Sequence, residues 1–432
     1  MKKIIRLLFL FLLLLSLNGC SFQSDKAVNT SSGNVKETTN EVQAPIRVSA
    51  LDFDAAEPAI AVDVEGNIYV AYVEHDDKAA DVYLQKFASV KDASIKAVGE
   101  RVRVNPVPGQ VKAWRGDQPT VQTRGEKVFI GWNERTDTPK DAGNDLMLSA
   151  SEDGGKTFAA PVRVNDDSGT ASHGMHAMSV SGDHVYFAWL DERYLKNNAD
   201  AKKQWAYSAG KHEHLEPNAE LYFAVSKDGG KTFSANKKVT GNVCPCCKAS
   251  LLISSDGGFY LSWRHVQSGD MRHIAAAFSG DGGETFDAPV IVSDDKWHIN
   301  ACPVSGASLA IGEDKALKAV WYTAGSAGAE GLYWAECAGQ NTFSPRKLLS
   351  EGMVWGTPVM LSDEKGGYRI FWTRNKKILS LTVSAGGEAP APVREIGDGD
   401  LPAAAVFKGV FYIAYIKNEE GKRNVWLQKL PD

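Results

Sequence analysis

The sequence predicts an all-β protein, and within that class a β-propeller built of four-stranded blades. Three observations lead to this prediction. Short runs in which apolar and polar residues alternate recur from residue 45 onward, bounded by Gly, Asp and Asn, which is typical of β-strands. One eight-residue turn occurs three times. The same order of strands surrounds each copy, so the repeating unit has four strands, as a propeller blade does.

The repeated turn reads Ser-x-Asp-x-Gly-x-Thr-Phe at Ser151–Phe158, Ser226–Phe233 and Ser279–Phe286. Asp and Gly permit a tight turn with positive φ, and the Ser and Thr hydroxyls bond back to the main chain. The pattern resembles the Asp-box, or BNR repeat, of the sialidase superfamily, and the resemblance covers nearly the whole mature chain. We therefore assign a structural role in the turn, rather than a catalytic one, to three aspartates: Asp153, Asp228 and Asp281.

The phase of the repeat predicts seven blades. Their first strands lie near Ala59, Thr120, Ser179, Leu251, Ser308, Val359 and Ala404. The last unit ends after its third strand, Val425–Lys429, and Ile46–Val48 resembles the fourth strands of the other units. We therefore expect the N-terminal strand to complete the last blade and close the ring. Because the sialidases that the chain resembles have six blades, six is the alternative.

The chain begins with an export signal. A basic start is followed by an apolar run from Leu7 to Leu15, which is too short to cross a bilayer, and then by Leu17-Asn-Gly-Cys20. These four residues resemble the lipobox of bacterial lipoproteins, which implies cleavage before Cys20 and acyl lipid, such as palmitate, on it. A plain secretory signal with an incidental cysteine is the alternative. The predicted domains are a signal peptide at 1–19, the lipidated Cys20 with a flexible tether at 20–44, and the propeller at 45–432.

These features predict a protein of the cell envelope that is anchored by lipid and faces outside the cytoplasm. Ser21 follows the lipidated cysteine, and a residue other than Asp at this position implies the outer membrane if the organism is Gram-negative. The expected partners are the membrane, through the lipid, and a glycan or protein ligand. The chain carries a net charge of −5, so nucleic acid is not an expected partner.

Unusual polar residues are predicted to collect on one face. In a propeller, the loops that join blades and the loops that follow second strands open on the same face around the axis, opposite the Asp-box turns. The candidate ligand-binding residues come from these loops: Glu57, Arg115, Asp117, Glu134, Arg135, Asp191, Arg193, Arg264 and Arg374. Their clustering predicts a site at the end of the axis. The alternative is that each is a solvated loop residue.

The resemblance also implies an enzymatic alternative, a sialidase-type glycoside hydrolase. Retaining sialidases hold the substrate carboxylate with three arginines and use a tyrosine, activated by a glutamate, as nucleophile. The first arginine belongs to a Phe/Tyr-Arg-Ile-Pro motif, but the matching segment here is Ala56-Glu57-Pro58-Ala59. A glutamate repels a carboxylate instead of pairing with it. No Tyr/Glu pair is identifiable by spacing, so the catalytic residues stay unassigned.

Four of the five cysteines that follow Cys20 predict a disulfide or a metal site: Cys244, Cys246, Cys247 and Cys302. Outside the cytoplasm neighbouring thiols usually form disulfides, here between Cys302 and one residue of the Cys-Pro-Cys-Cys loop. The alternative is a copper(I) or zinc site in a metal-handling or redox protein. Its ligands would be these sulfur atoms together with three histidines: His173, His176 and His298. The loop lacks the following histidine of a c-type haem motif.

Overall fold

The computed structural model describes residues 44–77, 79–89, 94–114, 116–136, 142–197, 218–299, 301–337, 342–363, 365–389 and 391–430. The predicted signal peptide, Cys20 and nearly all of the tether lie outside the described residues, and so does Arg115. Within the described ranges no helix is long and apolar enough to cross a membrane. The fold in these ranges is nearly all β.

The strands of the N-terminal half, in chain order, are β1 (Ile46–Arg47), β2 (Asp54–Val62), β3 (Ile68–Asp76), β4 (Ala79–Ser89), β5 (Ile95–Arg103), β6 (Thr120–Arg124), β7 (Lys127–Arg135), β8 (Asn144–Ser151), β9 (Val162–Arg163), β10 (His173–Ser181), β11 (His184–Asp191), β12 (Ala219–Ser226) and β13 (Lys237–Val243). Helix α1 (Arg193–Asn197) follows β11. The sequence predicted no helix beyond the signal peptide, so this single turn of helix is a difference from the prediction.

The strands of the C-terminal half are β14 (Ser250–Ile253), β15 (Phe259–Gln267), β16 (Met271–Ser279), β17 (Val290–Ile291), β18 (Ala307–Ile311), β19 (Leu317–Thr323), β20 (Gly331–Glu336), β21 (Lys347–Glu351), β22 (Trp355–Ser362), β23 (Tyr368–Arg374), β24 (Lys377–Val383), β25 (Arg394–Asp398), β26 (Asp400–Phe407), β27 (Val410–Glu419) and β28 (Lys422–Lys429). All strand pairs that carry these sheets are antiparallel, as short hairpin connections favour.

The strands form five four-stranded sheets and one eight-stranded sheet. Four of the smaller sheets are β2–β5, β6–β9, β18–β21 and β22–β25. The eight-stranded sheet consists of β10–β13 and β14–β17, joined by a single residue pair, Val243 with His265. In the fifth small sheet, Ile46 of β1 pairs with Leu427 of β28. The N-terminal strand therefore lies beside the C-terminal strand.

All predicted first strands coincide with strands of the structure: β2, β6, β10, β14, β18, β22 and β26. We call these the inner strands. Each contacts the next in chain order, and β26 contacts β2. Together they line a channel of about 310 Å³. Sheets of four antiparallel strands whose first strands surround a channel are the architecture of a β-propeller.

The core lies between neighbouring sheets. The strand that follows each inner strand carries a buried aromatic side chain at an equivalent place: Tyr72, Trp132, Trp189, Trp263, Trp321, Trp372 and Tyr415. These rings fill the space between one sheet and the next. Truncating one of the tryptophans to alanine would cost roughly 3–5 kcal/mol of stability.

The three repeated turns join third strands to fourth strands and share one pattern of hydrogen bonds. In the second copy, the Asp228 carboxylate accepts hydrogen bonds from the amide of Thr232 at 3.0 Å and from the hydroxyl of Thr232 at 2.6 Å. Ser226 Oγ accepts a hydrogen bond from the Gly230 amide at 2.8 Å. These donors hold the pKa of Asp228 well below its usual value. Asp153 and Asp281 make the equivalent bonds. Each aspartate is therefore occupied within its own turn.

Candidate functional site

The loops that carry the predicted site residues emerge at one end of their sheets. In each inner hairpin the start of the first strand pairs with the end of the second, as His173 pairs with Asp191 and Asp400 with Ile416. The loops before inner strands and after second strands therefore lie on the same side. We call this side the upper face.

Most inner strands begin with a backbone feature that the sequence did not reveal. Residues with φ between +48° and +88° lie at the start of six of them: Glu57, Gly116, Met175, Val304, Gly356 and Leu401. Four of these residues carry a side chain, and a side chain disfavours this region by roughly 1–3 kcal/mol each. Such strain persists where the surroundings dictate the conformation, and it concentrates at functional sites. Four non-glycine residues at or near the start of inner strands therefore hold strained backbone on the upper face.

Glu57 occupies the position at which the sialidase resemblance requires an arginine, and it is neutralised internally. Its side chain is 2% exposed, with Oε2 2.7 Å from His75 Nε2 and Oε1 3.4 Å from Arg423 Nη1. Arg423 also binds Asp54, with Nη2 2.6 Å from Oδ2. This ion cluster borders an upper-face pocket of about 680 Å³. Because Arg423 is already paired with the carboxylates of Asp54 and Glu57, the cluster does not provide a free arginine for a ligand carboxylate.

Asp191 and Arg193 bind each other. Asp191 is fully buried and accepts hydrogen bonds from Arg193 Nε at 2.9 Å and Trp189 Nε1 at 2.8 Å. The Arg193 guanidinium also lies 2.8 Å from Asp166 and 4.3 Å from the centre of the Tyr222 ring. Three carboxylates, those of Asp191, Asp166 and Asp167, and an aromatic face therefore surround this cation.

Arg264 is fully buried and bonds to main-chain carbonyls. Its Nε donates to Ser305 O at 2.9 Å and its Nη2 to Tyr322 O at 3.0 Å. The guanidinium carbon lies 4.8 Å from the centre of the Trp297 ring. Arg264 thus joins neighbouring sheets from within.

Two more of the predicted arginines, Arg374 and Arg135, also have local partners. Arg374 Nε donates to Met353 O at 3.1 Å, and Arg135 Nε donates to Val111 O at 3.3 Å. Burial raises the pKa of Glu134. Among the residues that the structure describes, the predicted arginines therefore do not converge into the three-arginine clamp of sialidases.

A tyrosine–glutamate pair is present, although its spacing in the sequence did not reveal it. The hydroxyl of Tyr322 donates a hydrogen bond to Glu330 Oε1 across the β19–β20 connection. Burial and the neighbouring carboxylate both raise the pKa of Tyr322. The pair matches the residue types of a sialidase nucleophile, but Arg264, which lies beside Tyr322, donates to main-chain carbonyl oxygens.

The three histidines predicted as metal ligands have different surroundings. His173 is fully buried, and burial lowers its pKa, but the ion pair with Asp167 at 3.0 Å, the charge of Asp191 and the contact with Asn144 O together raise it more, so the net shift is upward. His176 is also fully buried, and burial lowers its pKa. His298 is exposed and contacts Gly269 O at 3.0 Å. None of the three lies within the cluster of cysteine sulfurs.

The cysteines do come together. Cys246 and Cys302 form a disulfide, one of the pairings that the sequence predicted. The sulfur of Cys244 lies 3.6 Å from that of Cys246 and 3.4 Å from that of Cys247. These three sulfur atoms are close enough to share one soft metal ion once the disulfide is reduced. The structure therefore places a disulfide and two further thiols in one cluster.

An upper-face pocket of about 150 Å³ opens between β6–β9 and β10–β13. Its polar and aromatic lining consists of Lys112, Trp114, Asp117, Asn133, Asn144, Ser172 and Glu192. Of this set, the sequence placed Asp117, Asn133 and Glu192 in loops of the upper face, and Asp117 alone was among the candidate ligand-binding residues. The others are ordinary residue types in loops and strand ends, and only the packing of two sheets brings them together.

Asp117 organises this pocket. It accepts hydrogen bonds from the Met175 amide at 2.8 Å and from Asn133 Nδ2 at 2.5 Å. The carbonyl oxygen of the same asparagine, Asn133 Oδ1, is buried and has no hydrogen-bond partner among the described residues. The Trp114 ring is 46% exposed at the rim. The pocket thus combines a hydrogen-bond acceptor without a partner, Asn133 Oδ1, with the exposed ring of Trp114.

Glu192 and Lys112 complete the chemistry of the pocket. Burial raises the pKa of Glu192, although the hydrogen bond with Ser172 and the charge of Lys112 oppose the shift. A carboxyl group with a raised pKa keeps its proton at higher pH and can donate a hydrogen bond. With Lys112 as a second donor, the pocket can bind a small neutral ligand rich in hydroxyl groups.

No protein-family model matches this sequence. No curated protein sequence matches it either. Among solved structures, a protein of unknown function from Dyadobacter fermentans superposes with a TM-score of 0.53 at 16% identity, over 90% of this chain and 98% of that one. The polysaccharide lyase Uly1 gives a TM-score of 0.53 at 11% identity, over 86% of this chain and 89% of that one.

A Hadza microbial sialidase, Hz136, superposes less well, with a TM-score of 0.48 at 14% identity over 84% of this chain and 76% of that one. At such identities the likeness to the Dyadobacter protein and to Uly1 concerns the fold alone. The chain therefore shares its fold with these two structures.

Proposed function

We propose that this chain is a lipid-anchored, extracytoplasmic β-propeller of seven blades that binds the terminal sugar of a glycan. The binding site is the pocket between β6–β9 and β10–β13. The observation that carries the proposal is the buried, unpartnered Asn133 Oδ1 beside the exposed ring of Trp114.

The contacts in the pocket favour a sugar. A buried acceptor without a partner costs about 1–3 kcal/mol, and a ligand hydroxyl that donates to Asn133 Oδ1 would recover that energy. The exposed Trp114 ring offers a flat apolar surface to the C–H face of a sugar ring. The volume of about 150 Å³ is below the range of drug-sized sites, so one sugar residue fits rather than a long chain segment.

The blade count is supported by the order of the strands. The eight-stranded sheet divides at the single pair Val243 with His265 into two runs of four, which brings the number of four-stranded runs to seven. The inner strands contact one another in chain order, and the last contacts the first. Pairing of Ile46 with Leu427 supplies the fourth strand of the last blade, as ring closure requires.

The lipid anchor is supported by the Leu17-Asn-Gly-Cys20 segment after the apolar run. The matching experiment is mass spectrometry of the N-terminal peptide of the exported protein. We expect a chain that begins at Cys20 and carries acyl groups, and a Cys20→Ala variant that leaves the membrane fraction. An unmodified N-terminus at another residue would contradict the anchor but not the sugar site.

A glycan array with the full chain tests the sugar site. We expect binding to a set of glycans that share a terminal residue, and a loss of affinity of about tenfold or more, roughly 1.4 kcal/mol, in Trp114→Ala. Trp355→Ala is the matched control, because Trp355 also lies on the upper face and is 41% exposed, but belongs to β22. Absence of any glycan binding, or equal losses in both variants, would refute the proposal.

An exo-sialidase is the second candidate, and the Tyr322–Glu330 hydrogen bond favours it. It predicts release of the fluorophore from a fluorogenic sialoside by the purified chain. The activity should vanish in Tyr322→Phe and persist in Trp114→Ala. Hydrolysis with this pattern would place the function beside Tyr322 rather than in the pocket at Trp114.

A further inference from the structure

Four cysteines form a path from the surface into the core. Cys302 is exposed and is bonded to Cys246, which is 4% exposed. Cys244 and Cys247 are fully buried, and the Cys244 sulfur lies 3.6 Å from that of Cys246 and 3.4 Å from that of Cys247. A disulfide that only braces two loops requires no further sulfur atoms in contact with it. This arrangement places two thiols directly behind a surface disulfide.

The main chain fixes this geometry at the junction between β13 and β14. The Cys244 amide donates to Arg264 O at 2.8 Å, next to the pair that joins the two halves of the eight-stranded sheet. The Cys247 amide approaches Cys244 O at 3.5 Å in a tight turn. The turn directs the sulfur atoms of Cys244, Cys246 and Cys247 to one side.

The surroundings of Cys244 favour its thiolate, the nucleophilic form of cysteine. Arg272 is 1% exposed, and its Nη1 lies 2.9 Å from the Cys244 sulfur. A guanidinium in direct contact with a cysteine sulfur favours the thiolate form. The hydrogen bond between Cys244 and Cys247 and the charge of Arg272 lower the pKa of Cys244, whereas burial raises the pKa of Cys247. One thiol is therefore prepared to attack and the other holds its proton.

We propose that these cysteines form a thiol–disulfide relay, which carries two electrons between the buried pair Cys244/Cys247 and the surface pair Cys246/Cys302. The outside partner is a thiol or disulfide, of a protein or a small molecule, that reaches Cys302, the exposed residue of the disulfide. The relay is independent of sugar binding.

The exchange balances without an added oxidant. The Cys244 thiolate attacks the Cys246 sulfur, which forms a Cys244–Cys246 bond and breaks the bond to Cys302. Cys302 leaves as a thiolate and takes a proton from water. Cys247 then loses its proton and attacks Cys244, and Cys246 leaves as a thiolate and is protonated. One disulfide is broken and one is formed at each step.

Disulfide mapping tests the relay. Trypsin leaves the three clustered cysteines on one peptide, 239–248, and Cys302 on another, 297–315. The native disulfide therefore links two peptides, whereas exchange leaves a disulfide within the first peptide and a free Cys302 on the second. The full chain with Cys20→Ser is equilibrated anaerobically in glutathione buffers, quenched with acid, blocked with N-ethylmaleimide and digested.

Variants separate the two steps. Cys247→Ser stops the relay after the first step, so we expect a Cys244–Cys246 disulfide and free Cys302. Cys244→Ser prevents the first step, so Cys302 should stay bonded to Cys246, with roughly tenfold less free Cys302 than in Cys247→Ser, equivalent to about 30 mV in potential. Cys337→Ser is the control, because Cys337 is a half-buried thiol outside the cluster, and it should behave as the parent. If Cys247→Ser does not fold, Cys247→Ala makes the same test.

Two results would overturn the relay. One is a Cys247→Ser protein that shows no Cys244–Cys246 disulfide in any buffer. The other is a parent chain that, purified without chelators, retains about one equivalent of copper or zinc with its clustered thiols masked, because the site would then be a metal centre.

Discussion

Asp117→Ala should be one of the most damaging single changes on the upper face. Asp117 receives two hydrogen bonds, from the Met175 amide at 2.8 Å and from Asn133 Nδ2 at 2.5 Å, and its side chain is 9% exposed. Alanine leaves both donors buried without an acceptor. A hydrogen bond to a charged group contributes about 1.5–3 kcal/mol, so we expect a loss of roughly 3–5 kcal/mol in the free energy of unfolding. Urea unfolding followed by tryptophan fluorescence measures it.

Asp183→Ala is the matched control for this change. Asp183 and Arg124 form an ion pair of 2.6 Å between the same two runs of strands, but their side chains are 64% and 47% exposed. An exposed pair contributes at most about 1 kcal/mol. If the two variants lose equal stability, or if Asp117→Ala loses less than about 1 kcal/mol, the buried hydrogen bonds do not join the sheets as we argue.

Three further predictions concern packing and pH. In Gly143→Ala the new Cβ would lie 2.1 Å from Thr170 O, a main-chain atom, so thermal unfolding should show loss of the native fold. In the control Gly280→Ala the new Cβ meets no atom within 4 Å, so this variant should melt like the parent. Because the pKa of His173 is raised on folding, the protonated imidazole contributes its full stability below the unfolded pKa near 6.5, and this contribution is lost as pH rises through the folded pKa. The difference in unfolding free energy between the parent and His173→Gln should therefore shrink between these two pKa values, and a constant difference would contradict this. Because the pKa of Glu192 is raised above 4.5, sugar affinity should fall as pH increases through it, and calorimetry should find this decline absent in Glu192→Gln.

Much of the fold could be predicted from the sequence because its signals are local. The inner strands near Ala59 and Val359 were visible as short alternating runs between turn residues, and both lie in strands of the structure. The repeated turns were visible because every hydrogen bond of Asp228 is formed within five residues. The left-handed conformation of Glu57 was not visible, because it depends on the bulge in the pairing of β2 with β3.

The site was less predictable because its contacts are distant in the chain. Arg264 looked available to a ligand, yet its partners are the carbonyl oxygens of Ser305 and Tyr322, which no side-chain pattern announces. Trp114 precedes β6 and Glu192 follows β11, and the two share a pocket only because β6 packs against β10. The sequence predicted that Cys302 forms a disulfide with one cysteine of the Cys-Pro-Cys-Cys loop, because neighbouring thiols outside the cytoplasm usually pair, but it did not identify that cysteine as Cys246.

The central claim is that the pocket between β6–β9 and β10–β13 holds a terminal sugar. A crystal structure of the chain with the glycan selected on the array tests it most directly. We predict a sugar ring stacked on Trp114, with one hydroxyl donating to Asn133 Oδ1. A glycan bound elsewhere on the upper face, for example beside Tyr322 and Glu330, with this pocket empty, would contradict the account.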